Sequence, residues 1–137
     1  MVPLLVAVDR AKFAFSEVRL GILPAVISPF VVAKIGPGNS RELFLTGERF
    51  LAERAKEIGL VQHVVTEDEL DEKVNERVAT LLQGAPGAQA AGKELIQVVA
   101  FQEKTAVRDY TANLIAQRRA SPEGREGLTS FLEKDHR

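Results

Sequence analysis

The sequence contains no cysteine, which excludes a disulfide scaffold, a thiolate nucleophile and every cysteine-based zinc site. Its two histidines, His63 and His136, stand far apart and match no metal-ligand spacing. Neither sign of charge is in excess. The 18 basic and 19 acidic residues leave a formal net charge of −1, so no electrostatic footprint for nucleic acid or an anionic membrane is present. Long apolar runs are absent too. The stretch Met1–Val8 is far shorter than the roughly twenty residues of a membrane span, and no basic residue precedes it as in a secretory signal. A cytoplasmic protein with neither nucleic acid nor membrane as partner is expected. What is there is a globular composition: 137 residues, 45% hydrophobic and 27% charged, room for one domain with a core of its own.

The chain has two textures, and a boundary is expected between residues 1–65 and 66–137. In the first region, Leu4–Val8 and Lys12–Val18 read as strands, with Phe13, Phe15 and Glu17 on one face by the period of two. Gly21 and Pro24 mark a loop. Ser28-Pro29 reads as a helix start, and the helix to Ile35 ends at Gly36-Pro37-Gly38. Asn39, with Glu42 three residues on, reads as the cap of another helix that Gly47 closes. A third helix over Ala52–Ile58 leads to a strand at Leu60–Val65. The second region is a run of helices. Thr66 and Glu69 have capping-box spacing, and Leu70, Val74, Val78, Leu81 and Leu82 follow at helical intervals. Pro86 opens the next helix, Glu103–Ala120 forms another, and Ser121-Pro122 starts the last.

Few residues carry chemistry on their own. Glu17, on the predicted face of Phe15, is a candidate acid or base, because apolar surroundings disfavour a charged carboxylate and make a glutamate useful near neutral pH. The alternative is a strand-end carboxylate paired with Arg19. His63 sits mid-strand without a nearby nucleophile. Gly36-Pro37-Gly38 and Gly84 read as helix stops and not as a phosphate cradle, and Arg118-Arg119 reads as a solvated face. Phe131 and Lys134 lie one helical turn apart, an aromatic ring and an ammonium on one face. That pair suits a ligand with a ring and a phosphate, or simply a core phenylalanine beside an exposed lysine.

The run Ala11-Lys12-Phe13-Ala14-Phe15-Ser16-Glu17-Val18-Arg19-Leu20-Gly21-Ile22-Leu23-Pro24 resembles the central signature of the enoyl-CoA hydratase/isomerase (crotonase) superfamily. Leu45-Thr46-Gly47, Ala52-Glu53-Arg54-Ala55 and Gly59-Leu60-Val61 resemble the stretch that follows it in that family. Ser121-Pro122-Glu123-Gly124-Arg125-Glu126-Gly127, with Phe131-Leu132-Glu133-Lys134, resembles the family's terminus. Pro24–Phe30 is similar to the methylglutaconyl-CoA hydratase-like subgroup, which acts on branched or carboxylated enoyl-CoAs.

The resemblance implies an α/β protein with a partial crotonase fold: a few N-terminal strands, then a helix-rich oligomerisation region. Its activity would be addition of water to the α,β double bond of an acyl-CoA thioester, with no separate cofactor. Glu17 matches the glutamate that protonates the α-carbon, and Phe131 and Lys134 match positions that reach the adenine and phosphates of coenzyme A. The sequence corresponds to the family's C-terminal half. It has no Gly-Gly-Gly run and no acidic residue before Asp9, so the first glutamate and both oxyanion donors find no match. The expected partners are an acyl-CoA and further copies in a trimer or hexamer, or a complementing N-terminal half. The 137 residues alone are expected to have little hydratase activity. Alternatives are a non-catalytic helical assembly module and an enoyl-CoA isomerase.

Overall fold

A computed structural model describes the backbone of residues 4–135 and the side chains of residues 4–133. The chain divides into two compact units, one running to Arg77 and the other starting at Val78.

In the first unit, β1 (Val6–Val8) pairs in parallel with β4 (His63–Val65), in the register Val6↔His63, Ala7↔Val64 and Val8↔Val65. Parallel partners need a long crossover, and here it contains Glu17 and the elements that hold it. β2 (Lys12–Ala14) turns back antiparallel to β3 (Arg49–Leu51), with Phe13 opposite Phe50. A 3-10 turn over Ser16–Leu20, helix α1 (Ser28–Thr46) and the short α2 (Ala52–Glu57) fill the rest. Two-stranded pairs are marginal alone, and the core that holds these lies between them and the helices. Ala7, Phe15, Val31, Ile35, Leu43, Phe50, Ala52, Ala55, Ile58 and Val61 form it, and Leu43 is 1% exposed.

The strand expected over Lys12–Val18 stops at Ala14. Its partner β3 begins at Arg49, directly after the Gly47-Glu48 turn, so no backbone remains to pair beyond the Ala14–Arg49 position. The chain instead coils into the 3-10 turn, which Gly21 closes in the left-handed region at φ 74°. Likewise β4 starts later than Leu60. The Leu60 and Val61 N–H groups are drawn into a turn on the Ala55 carbonyl, at 2.8 and 3.2 Å.

Helix α1 joins the two helices expected on either side of Gly36. A single residue, Gly36 at φ 78° and ψ 164°, interrupts it, a geometry that only glycine adopts without strain. Pro37 then supplies the missing-donor residue of a fresh first turn. Neither expected cap is formed. The Asn39 side-chain amide donates backward across the break to the Ile35 carbonyl at 2.8 Å, and the buried Ser40 hydroxyl donates to that of Gly36 at 2.7 Å. Ser28 falls inside the helix and donates to the Ala25 carbonyl at 2.9 Å.

The capping spacing at Thr66 does form its contact. The Glu69 carboxylate accepts the Thr66 N–H at 3.0 Å and the Thr66 hydroxyl at 2.9 Å, at the entrance to α3 (Leu70–Leu82). These two bonds hold the Glu69 carboxyl below its ordinary value of 4.5, against an opposing effect of desolvation, and the Lys73 charge adds to them to a lesser degree. A folded-state value below the unfolded one stabilises the fold above the ordinary carboxylate range, and this contribution is lost as pH falls through the folded value. Urea midpoints measured from pH 7 to pH 3 should therefore drop on acidification. Glu69→Ala should remove part of that drop and leave a chain already weaker at pH 7.

The second unit contains the end of α3 and α4 (Pro86–Ala100), α5 (Arg108–Ala120) and α6 (Pro122–Asp135). Helix α5 starts later than the expected Glu103, just after Val107, which is the unit's buried apolar residue among those described. Ser121 caps α6 as its sequence suggests, accepting the Gly124 N–H at 3.0 Å. Arg118 is not a solvated side chain. It pairs with Glu123, whose carboxylate also accepts the Gly87 and Ala88 N–H groups, each at 3.0 Å, at the start of α4.

Candidate active site

The residues leading into the 3-10 turn are fixed by aromatic packing. Phe15 is buried, meeting Phe44 of α1 edge-on at 5.1 Å and Phe50 of β3 at 6.1 Å, while Phe13 stacks on Phe50 at 5.7 Å. Such ring pairs add specific geometry to the burial of a large apolar area. Two residues after Phe15, Glu17 lies in the first turn of the 3-10 segment and is half-buried. Its carbonyl accepts the Ile22 N–H at 3.2 Å, and the Gly21 N–H reaches the Val18 carbonyl at 3.1 Å, so the backbone from Glu17 onward is tied into the turn.

The Glu17 side chain is a different matter. Its Oε2 is buried and has no hydrogen-bond partner among the described residues. No ion pair with Arg19 forms among them either, so the paired-carboxylate alternative does not hold. A buried, unsatisfied acceptor is uncommon and costly, and it calls for an explanation in terms of function or a missing partner. Chemically, it is a carboxyl oxygen on a fixed backbone with one hydrogen-bonding position open.

The chain after Glu17 is apolar and uncovered. Leu20, Ile22, Leu23, Val26 and Phe30 are exposed, Val26 by 86%. Phe131 lies in α6 and is 65% exposed, so it is not a core phenylalanine within its unit. Lys134 lies one turn further along the same helix, and its side chain is outside the described residues. Glu17 thus belongs to the first unit, and Phe131 and Lys134 to the second. His63 takes its place in β4, where its N–H donates to the Leu5 carbonyl at 3.2 Å. No cluster of potential metal ligands occurs among the described residues. An open groove lined by Val65, Glu69, Glu72, Lys73 and Glu76 contains none of the candidate site residues, and its Lys73 and Glu76 pair with each other. No helix among the described residues is long and apolar enough to cross a membrane.

Residues 1–137 match the enoyl-CoA hydratase/isomerase family over their whole length. The chain belongs to this family. The enoyl-CoA hydratase/isomerase chain is 30% identical over 135 residues to a probable enoyl-CoA hydratase of Mycobacterium bovis, an alignment that covers 98% of this chain and 52% of that protein. It therefore spans about half the length of that curated relative. Solved structures agree in fold. A crotonase-type enoyl-CoA hydratase/isomerase structure from Legionella pneumophila superposes with a TM-score of 0.85 at 45% identity, covering 96% of this chain and 51% of that one. Pseudomonas aeruginosa AtuE superposes with a TM-score of 0.91 at 37% identity, over 96% and 51%. The fold of this family member is accordingly a partial α/β crotonase fold, as its sequence signature implies.

Proposed function

We propose that this chain takes part in the hydration of the α,β double bond of an acyl-CoA thioester and that Glu17 is its proton-transfer group. The observation that carries this reading is the Glu17 carboxylate, with Oε2 buried and unpartnered among the described residues, on a 3-10 turn. In the step proposed, the oxygen of water bonds to the β-carbon as the second carboxylate takes the proton that this oxygen loses, and the Glu17 carboxyl then delivers a proton to the α-carbon. Between these events negative charge collects on the thioester oxygen. Preorganised backbone N–H donors aimed at such an oxygen are usually the largest single contribution to the rate. Those donors and the second carboxylate are assigned to the part of the family fold that this chain does not span. Phe131 and Lys134 are assigned to coenzyme A, the ring against its adenine and the ammonium against its phosphates.

Pro24–Phe30 favours a branched or carboxylated acyl group, which would place the reaction in branched-chain amino acid catabolism in the cytoplasm. The uncovered side chains from Leu20 to Phe30, and the second unit's dependence on Val107 as its buried apolar residue, support coverage by other family surface. That surface is assigned to a homotrimer or to the family's other half.

The reading is tested by assaying crotonyl-CoA and a branched enoyl-CoA with the 137-residue polypeptide alone and after mixing with the complementary half of a close relative. Low turnover alone and a gain of at least about a hundredfold on mixing are expected, since donors and a second carboxylate contribute several kcal/mol. Failure of every combination to hydrate either thioester would overturn it. If the mixture assembles by light scattering and stays inactive, the second reading, a helical assembly module built on this fold, takes its place.

A further inference from the structure

We propose that Gly47 is a positioning residue that sets the placement of the Glu17 carboxyl. The inference rests on the reading of Glu17 as the proton-transfer group. Gly47 ends α1 in the left-handed region at φ 58° and ψ 22°, its N–H bonded to the Leu43 carbonyl at 3.0 Å. That is the usual geometry of a helix-closing glycine, and by itself it would say nothing about the site. What Gly47 faces is the turn that carries Glu17. A Cβ built on it would lie 2.9 Å from Val18 Cγ1, 3.3 Å from Arg19 Nε and 3.4 Å from Arg19 Cγ. Val18 and Arg19 are the two residues directly after Glu17 in the five-residue 3-10 turn. The end of α1 is therefore a backstop for this turn, close enough that one methyl group would force the Val18 side chain, and through it the turn, to shift.

The turn has two supports. Before Glu17, Phe15 is held by Phe44 and Phe50. After it, Val18 rests on the bare backbone of Gly47. Phe44 and Gly47 both belong to the last turn and cap of α1, so one helix end grips the segment on both sides of the carboxylate. Because the turn has only short-range backbone bonds of its own, displacing Val18 should swing Glu17 without disturbing the sheet pairs. A placement error of about an ångström can cost on the order of a hundredfold in rate.

The test uses the full chain labelled with 13C at the glutamate carboxyl carbons, with the Glu17 resonance identified by its loss in Glu17→Gln. Gly47→Ala should shift that resonance well beyond its line width while the Glu69 and Glu133 resonances stay in place. Adding Val18→Ala, which removes the methyl the new Cβ would meet, should return it. Gly47→Asn keeps a Cβ but tolerates the left-handed region. It should shift the resonance as well, and it decides the matter if Gly47→Ala does not fold. An unmoved Glu17 resonance in a folded Gly47 variant, or a shift that Val18→Ala leaves unchanged, overturns the proposal. None of these signals depends on turnover. A Glu17 that plays no part in hydration would be exposed by the activity of Glu17→Gln, and the placement result would stand apart from it.

Discussion

Glu17→Gln is expected to lower kcat for enoyl-CoA hydration by about 10²–10⁴-fold, in whichever assembly of this chain supports turnover. The substitution keeps the shape of the side chain and a carbonyl oxygen in the half-buried position, but it removes the exchangeable carboxyl proton. Glu17 sits on a turn tied by the Ile22 and Gly21 N–H groups and anchored by the Phe15 ring, so the amide should occupy nearly the same place. The loss should therefore appear in kcat while KM changes little, the pattern of an interaction made only in the transition state. A partial reaction sharpens the test. Exchange of the α-proton of a bound saturated acyl-CoA with solvent deuterium should slow in parallel, because in the proposed step the same carboxyl removes and returns that proton. Wild-type turnover by Glu17→Gln would end the assignment.

Gly124→Ala should destabilise the second unit by about 3 kcal/mol, lowering its Tm by about 12–24 °C. In an ordinary helix interior this change is favourable by nearly 1 kcal/mol, so the predicted sign is reversed. The reason is the corner between α5 and α6. A Cβ on Gly124 would run into the backbone carbonyl oxygen of Arg118, and it would lie 3.0 Å from the carbonyl carbon and 3.2 Å from the Ser121 hydroxyl oxygen. A flexible side chain could yield, but a backbone carbonyl at a helix end cannot. That carbonyl accepts the Ser121 hydroxyl at 2.7 Å, and the same hydroxyl oxygen accepts the Gly124 N–H at 3.0 Å. Arg118 in turn pairs with Glu123, which holds the first N–H groups of α4. Three helices thus meet at one polar corner. Thermal unfolding followed by circular dichroism checks the effect, with Gly127→Ala as the control, since nothing lies within 4 Å of its Cβ position. The control should gain stability slightly.

Much of this architecture is legible locally. A capping hydroxyl or carboxylate acts within three or four residues, so Thr66 with Glu69 and Ser121 with Gly124 are found where the spacing places them. Proline after serine and glycine at helix ends act at the same range. The signature around Glu17 carries the family, and with it the partial crotonase fold. The Asn39 cap fails because a competing acceptor, the Ile35 carbonyl, lies across a break whose geometry only Gly36 allows. The solvated reading of Arg118 fails because its partner Glu123 also caps the start of another helix.

Absences and spacings along the chain determined by themselves that no cysteine chemistry operates and that the second region is helical, and the resemblance of the signature around it singled out Glu17. Tertiary structure alone decided how Glu17 is held. The strand that should have carried it ends at Ala14 because its partner starts at Arg49, 35 residues later in sequence. The backstop at Gly47 and the rings of Phe44 and Phe50 are equally remote along the chain. Periodicity and capping express forces that act within one or two turns. The setting of a catalytic side chain depends on which distant backbone comes within van der Waals reach, and only the folded chain specifies that.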